Sequence, residues 1–159
     1  MDWDSYFLSI AKTIAVKSKD TSTKCGCVIV DSKHRIVSCG YNGTIQGINE
    51  SLVDIQTRPM KYFYTIHAEM NAILFAHQDL SNCSLYCEFA PCENCLKHAI
   101  QAGISRFVYE KVYVHSVGQV CSIVTKQTFQ AIINMLKATN VEAYNFLSKK
   151  TYIEELESQ

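Results

Sequence analysis

Ile66-His67-Ala68-Glu69-Met70-Asn71-Ala72-Ile73 and, further on, Pro91-Cys92-Glu93-Asn94-Cys95 are the two stretches around which this chain is organised. Cys92 and Cys95 are three apart, so on a helix both sulfurs lie on one face and reach one ion. Pro91 suits the first helical turn, where its missing N–H costs nothing. The unpaired N–H groups of such a helix start favour thiolate over thiol, and a metal favours it further. His67 and Glu69 are two apart, a spacing that does not share a helix face, so both point at one site only if His67 opens its helix. A second helix must then aim its N-terminus at the same point. One imidazole and two thiolates give three protein ligands, the number that leaves the fourth position of a zinc ion for water. Glu69 stands beside them as the proton carrier.

A lone Cys-x-x-Cys also serves in redox pairs and structural zinc knuckles. The upstream His-Ala-Glu selects catalytic Zn2+, one ion per chain, because a structural site needs a fourth protein ligand. Cys87 is the nearest spare thiol but falls in a strand-like run, and Cys25 and Cys27 form only a Cys-x-Cys pair. Cys39, Cys83 and Cys121 read as small core or surface residues.

The chain has 159 residues, enough for one domain, 1–159, with a proper core. Apolar residues make up 48%, with no run of eighteen, which fits a soluble globular protein and no membrane partner. Fifteen basic and fifteen acidic residues cancel. That balance argues against a groove for polynucleotide and for a small-molecule substrate. Eight cysteines without a signal peptide point to a reducing, cytoplasmic compartment.

Outward from the two motifs, Trp3, Phe7, Ile10 and Ile14 recur at helical spacing, with Asp2 or Asp4 available as cap. A polar stretch, 18–24, leads into Gly26-Cys27-Val28-Ile29-Val30, whose continuous apolar character suits a strand buried on both faces. The turn at 31–34 returns the chain through 35–40 as an antiparallel hairpin. Residues 41–66 read as one long connection, a length usually reserved for function. A helix follows with Ala68, Ala72, Ile73 and Phe75, then a strand at 85–87. The next helix runs over 92–102 and is stopped by Gly103. A strand at 106–109, a helix with Phe129, Ile132, Ile133 and Leu136 on one stripe, and a strand at 141–146 complete the reading. Strands separated by helices imply parallel pairing with crossovers. The expected fold is therefore α/β, a three-layer α/β/α domain around a five-stranded mixed sheet opened by a hairpin.

Together Gly26 through Val30, Gly40-Tyr41-Asn42-Gly43, Lys61-Tyr62, His67 through Ile73, Pro91 through Cys95 and Gln101-Ala102-Gly103-Ile104 resemble deoxycytidylate (dCMP) deaminases. His-x-Glu followed by Pro-Cys-x-x-Cys is shared by zinc deaminases generally. The Lys19-Asp20 stretch and the Tyr-Asn-Gly loop resemble the nucleotide-monophosphate branch. The resemblance covers roughly residues 5 to 115. It implies a cytidine-deaminase-like fold, hydrolytic conversion of dCMP to dUMP and ammonia in supply of thymidylate synthesis, and a homo-oligomer, a hexamer in the family. It places His67, Cys92 and Cys95 as zinc ligands and Glu69 as general acid–base. It also places Asn42 at the sugar, Lys24 and Tyr113 at the 5′-phosphate, and Ala68 and Pro91 in the substrate wall. Lys24 reads equally as a solvated loop lysine, and Tyr113 as a packed aromatic. Asn71 either supports the site or caps local backbone. His34 and His77 read as surface residues, and neither His98 nor His115 is assigned to the site.

Two departures from the family pattern stand out. Glu88 occupies a place where relatives carry a hydroxyl, which alters the wall expected to face the base. The loop carrying Tyr41, Asn42, Gly43 and Gly47 matches the effector loop of relatives controlled by dCTP and dTTP. There, however, Ile45 replaces a proline that fixes φ, so control by these effectors is expected to be weak or absent. Competing readings are deamination of dCTP or 5-substituted dCMP, deamination of tRNA adenosine, and a zinc-stabilised binding module without activity.

Overall fold

The structure is a computed structural model that describes residues 1–112 and 126–159. In chain order the elements are α1 (Trp3–Ala15), β1 (Gly26–Val30), β2 (Ile36–Tyr41), β3 (Gly43–Thr44), α2 (Lys61–Tyr64), β4 (Thr65–Ile66), α3 (Ala68–Leu74), β5 (Ser84–Cys87), α4 (Glu93–Gln101), β6 (Arg106–Tyr109), α5 (Lys126–Thr139), β7 (Glu142–Asn145) and α6 (Tyr152–Glu157).

Asp2 caps α1 by accepting the Ser5 N–H at 2.8 Å. The buried face of α1 is Phe7, Leu8, Ala11 and Ala15. Trp3 therefore sits off the buried stripe rather than within it; it is half-exposed and stacked on the His34 ring with centroids 4.5 Å apart. Five strands form one sheet in the order β2-β1-β5-β6-β7. β1 pairs antiparallel with β2 and β5, and β5, β6 and β7 run parallel, giving the expected mixed sheet opened by a hairpin. All five residues of β1 are buried. Val28 and Val30 pack with Phe7, Leu8 and Ala11 of α1 on one face, while Cys27 and Ile29 join Ala68, Ala72, Leu96, Ala99 and Ile132 on the other. Alternation along the strand thus produces three layers, with α1 the helix on one face among the described residues and α3 to α6 on the other.

Two glycines bring helices down onto the sheet. A Cβ on Gly26 would lie 2.0 Å from the Ala11 carbonyl oxygen, and one on Gly40 would lie 2.5 Å from the Ala68 carbonyl oxygen. The second contact sets α3, which follows His67, against β2. On the far face, Arg106 clamps Asp4 through two N–H donors at 2.8 and 2.9 Å, and the Tyr86 hydroxyl adds a bond to the same carboxylate at 2.9 Å.

The connection expected over 41–66 is not one uninterrupted loop. It contains β3 and β4, paired through Gly43–Ile66 and Thr44–Thr65, and the single turn of α2. Elements this short carry too little periodicity to be read from sequence. The sequence pattern likewise does not anticipate the short helix α6. Its start is a capping box in which Thr151 Oγ1 accepts the Glu154 N–H and the Glu154 carboxylate accepts the Thr151 N–H. Among the described residues no helix is long and apolar enough to cross a membrane.

Candidate active site

His67 is the N-cap of α3 and Cys92 the N-cap of α4, so two helix starts converge as the spacing required. Pro91 is correspondingly the residue before the N-cap, not in the first turn. The Cys92 sulfur takes the place of a capping oxygen and accepts the Cys95 N–H at 3.4 Å. His67 Nδ1 lies 3.6 Å from Cys92 Sγ and 3.4 Å from Cys95 Sγ. All three ligand atoms lie within 4.8 Å of one another. Zinc bonds of about 2.0–2.3 Å in tetrahedral array put neighbouring ligand atoms about 3.3–3.8 Å apart. The observed nitrogen–sulfur separations fall in that range, so this His-Cys-Cys set fits a zinc ion with a fourth position to spare.

The thiols divide by environment. Hydrogen bonding from the Cys95 thiol, with help from the His67 ring, outweighs burial and lowers Cys92 well below the ordinary thiol range. Cys95, sharing that bond, moves up. Burial pushes Cys25 up to about 12 and drives Cys27 and Cys87 well up. Cys87 is a core thiol in β5, and its sulfur is not among the ligand atoms that converge with His67. Burial also raises the Glu69 carboxyl, against the opposing pull of His67. A carboxyl so placed suits a group that must accept a proton and return it near neutral pH.

These residues open into a cavity of ≈ 1040 Å³, its mouth included. His67, Ala68, Glu69 and Cys92 line it, as do Asn42, Thr23 and Cys25. Asn42 is buried, with both ends of its amide engaged. Its Oδ1 accepts the Cys25 N–H at 2.8 Å and its Nδ2 donates to the Thr23 carbonyl at 2.9 Å. Lys24, between them, is exposed and does not line the cavity. Pro91 is buried behind the lining, where its carbonyl accepts the Tyr152 hydroxyl at 3.2 Å. Glu88 turns away and pairs with Lys111, so it does not form the cavity wall. Asn71 donates to the Tyr41 carbonyl at 2.8 Å, a long-range bond that ties α3 to the end of β2 rather than a cap on local backbone. His98 is exposed, with its Nδ1 on the Asn94 carbonyl. Tyr113 and His115 lie outside the described residues.

Several lining residues carry no site role in the sequence reading, although Lys61-Tyr62 belongs to the family resemblance. Lys61 is 2% exposed, and its ammonium pairs with both Asp20 carboxylate oxygens at 3.1 and 3.2 Å and with Ser22 Oγ at 3.3 Å. Burial works against the Asp20 charge, but N–H groups of Thr23 and Ser22 and the Lys61 ammonium outweigh it and hold Asp20 low. Arg58 and Tyr62 complete that wall, and Phe129, Ile132 and Tyr152 close another. The available signals were a lysine set among Tyr62, Phe63 and Tyr64, and the Thr151-x-x-Glu154 box ahead of Leu156. A second cavity, ≈ 660 Å³, touches the loop through Tyr41, Gly43 and Thr44, together with Lys17, Lys19 and Gln56. Gly47 in that loop has φ +80 with open space around it, and Ile45 is exposed.

The model of the cytidine and deoxycytidylate deaminase zinc-binding region matches residues 1–111. The chain belongs to this deaminase family. Family resemblance extends to individual proteins. An uncharacterised deaminase of Aliivibrio fischeri is 46% identical over 105 residues, 65% of this chain and 69% of that one. The deoxycytidylate deaminase of Mus musculus is 36% identical over 115 residues, 69% of this chain and 65% of that one. The matched region thus spans about two thirds of each of these relatives. The dCMP deaminase of cyanophage S-TIM5, in complex with dCMP and dUMP, shares the fold at a TM-score of 0.66. That match covers 89% of this deaminase and 95% of the phage chain at 24% identity.

Proposed function

We propose that this deaminase converts dCMP to dUMP and ammonia by zinc-dependent hydrolysis. The observation that carries the reading is the convergence of His67, Cys92 and Cys95 beside the buried carboxyl of Glu69, at a cavity that all four side chains or their neighbours line. The choice of dCMP is supported by the deoxycytidylate deaminase of Mus musculus and by the phage enzyme that holds dCMP and dUMP.

His67, Cys92 and Cys95 would hold the ion. Zinc, when bound, supplies Lewis acidity that brings the pKa of water toward neutrality. Glu69 takes one proton from the attacking water and delivers it to ring nitrogen 3 as the oxygen bonds to carbon 4. The same carboxyl carries the water's second proton to the amine on carbon 4, and the carbon–nitrogen bond breaks to release ammonia. This general acid–base role is worth about two to four orders of magnitude. Burial of Glu69 keeps bulk water from diverting the proton.

The enzyme acts as a homo-oligomer, a reading supported by exposed Phe63, Leu74 and Phe75 around α2 and α3. Ile45 is exposed and its N–H donates to the Tyr64 carbonyl at 2.8 Å, a bond that a proline at this place could not make, so the loop is held differently from that of effector-controlled relatives. Saturation with dCMP is accordingly expected to be close to hyperbolic; a sigmoidal curve straightened by micromolar dCTP would refute this. The function itself is tested by ammonia release from cytidine, deoxycytidine, dCMP, dCTP and 5-methyl-dCMP with the zinc-loaded protein. Highest kcat/KM on dCMP is expected, and preference for a free nucleoside or a triphosphate would overturn the reading.

A further inference from the structure

Within the cavity, the two cations of α2 and the segment before it differ in how they are satisfied. Lys61 is neutralised by Asp20. Arg58 has no carboxylate within salt-bridge distance among the described residues, and its Nε is buried with no hydrogen-bond acceptor. A buried N–H without an acceptor is an exception in folded proteins and calls for one. The Arg58 guanidinium carbon and the Lys61 ammonium both lie 5.9 Å from the centre of the Tyr62 ring. That ring therefore joins the two cations into one group and gives the guanidinium a fixed flank.

We infer that Arg58 holds the 5′-phosphate of the substrate and so makes the site select a nucleotide over a nucleoside. This rests on the dCMP reading above. The base must reach Glu69, and Arg58 lines the same cavity, so a single ligand can meet both groups. A guanidinium presents a rigid fork of donors that matches phosphate oxygens, and a desolvated donor strengthens the bond. Lys61 is occupied by Asp20 and serves as the counter-charge that keeps the wall in place. Lys24, the residue that family resemblance nominated, is exposed and outside the lining. It contributes at most a screened charge.

The experiment compares Arg58→Gln, Arg58→Lys and Lys24→Gln with the unaltered enzyme on dCMP and deoxycytidine. Zinc content and unfolding midpoint serve as controls for folding. R58Q is expected to lower kcat/KM for dCMP by about 30- to 100-fold, the loss of one buried charge-assisted contact. Deoxycytidine turnover should stay within about threefold, because a nucleoside has no phosphate to lose. R58K, which keeps charge but not the fork, should fall between; it replaces R58Q in the comparison if the glutamine variant does not fold. K24Q should lose less than R58Q on dCMP. A second readout is independent of deamination: deoxyribose 5-phosphate should raise the unfolding midpoint of the unaltered enzyme and not that of R58Q. Equal loss on both substrates, or equal protection of enzyme and variant, overturns the assignment of Arg58. Absence of dCMP turnover with Arg58-dependent protection intact would instead overturn the dCMP reading and leave Arg58 as a phosphate contact.

Discussion

The metal end of the cavity draws His67, Glu69, Cys92 and Cys95 from two short runs at the starts of α3 and α4. The rest of the lining draws Asp20, Arg58, Lys61, Phe129 and Tyr152 from segments scattered from the stretch after α1 to α6. The difference follows from tolerance. Ligand atoms must meet within tenths of an ångström, and only rigid local geometry at a helix start supplies that. A wall that excludes water and holds a phosphate needs only side chains of suitable chemistry at the right depth, wherever the chain supplies them. The contrast predicts that damage at the metal end abolishes chemistry, while damage elsewhere changes stability and selectivity.

The largest effect is expected from Glu69→Gln. Glutamine keeps the shape and a hydrogen bond but relays no proton, so turnover should fall by about 10³–10⁴-fold while zinc content is retained. Near-normal ammonia release by this variant would remove Glu69 from the mechanism. Next comes Cys95→Ala, which should lose metal and activity together and lower the unfolding midpoint, because the ligands tie α3 to α4. Metal analysis at one zinc per chain would show the ligand set to be wrong.

At the wall, Lys61→Met should destabilise by about 1–3 kcal/mol, since it leaves the Asp20 carboxylate, 13% exposed, without its cation. Adding Asp20→Asn should recover part of that loss, and chemical denaturation of the single and double variants measures the coupling. Additive losses would mean that the pair is not an energetic unit. The smallest effect concerns acid. The Arg106 guanidinium outweighs burial and holds Asp4 below its ordinary 3.8. A carboxyl lowered on folding stabilises fully above 3.8 and loses that contribution as pH falls through its depressed folded value. Stability should therefore decline below about pH 4, and Arg106→Gln should flatten that decline in acid-unfolding curves; an unchanged slope would exclude the ion pair as its source.

Legibility followed the same division. The motif spacing required two helix starts at one point, and His67 and Cys92 are the N-caps that deliver it. Apolar alternation and helical stripes likewise located the sheet, because each strand residue chooses its layer by its neighbours in sequence. The connection over 41–66 resisted reading because β3, β4 and α2 are stabilised by what they pack on and not by any periodicity of their own. Lys24 and Lys61 cannot be told apart by composition. The fold exposes one and buries the other against Asp20, forty-one residues away in sequence.

From sequence alone this protein was a three-layer α/β domain with a His-Cys-Cys zinc site and a glutamate beside it. Those features depend on spacings of two and three residues along a helix start, and the chain carries them locally. Tertiary structure alone decided that Glu88 leaves the wall for Lys111, that Tyr152 arrives from the last helix to bond the Pro91 carbonyl, and that the Nε of half-buried Arg58 is left without an acceptor. Burial and partnership at those positions depend on which distant segments fold against them, and no local pattern encodes that.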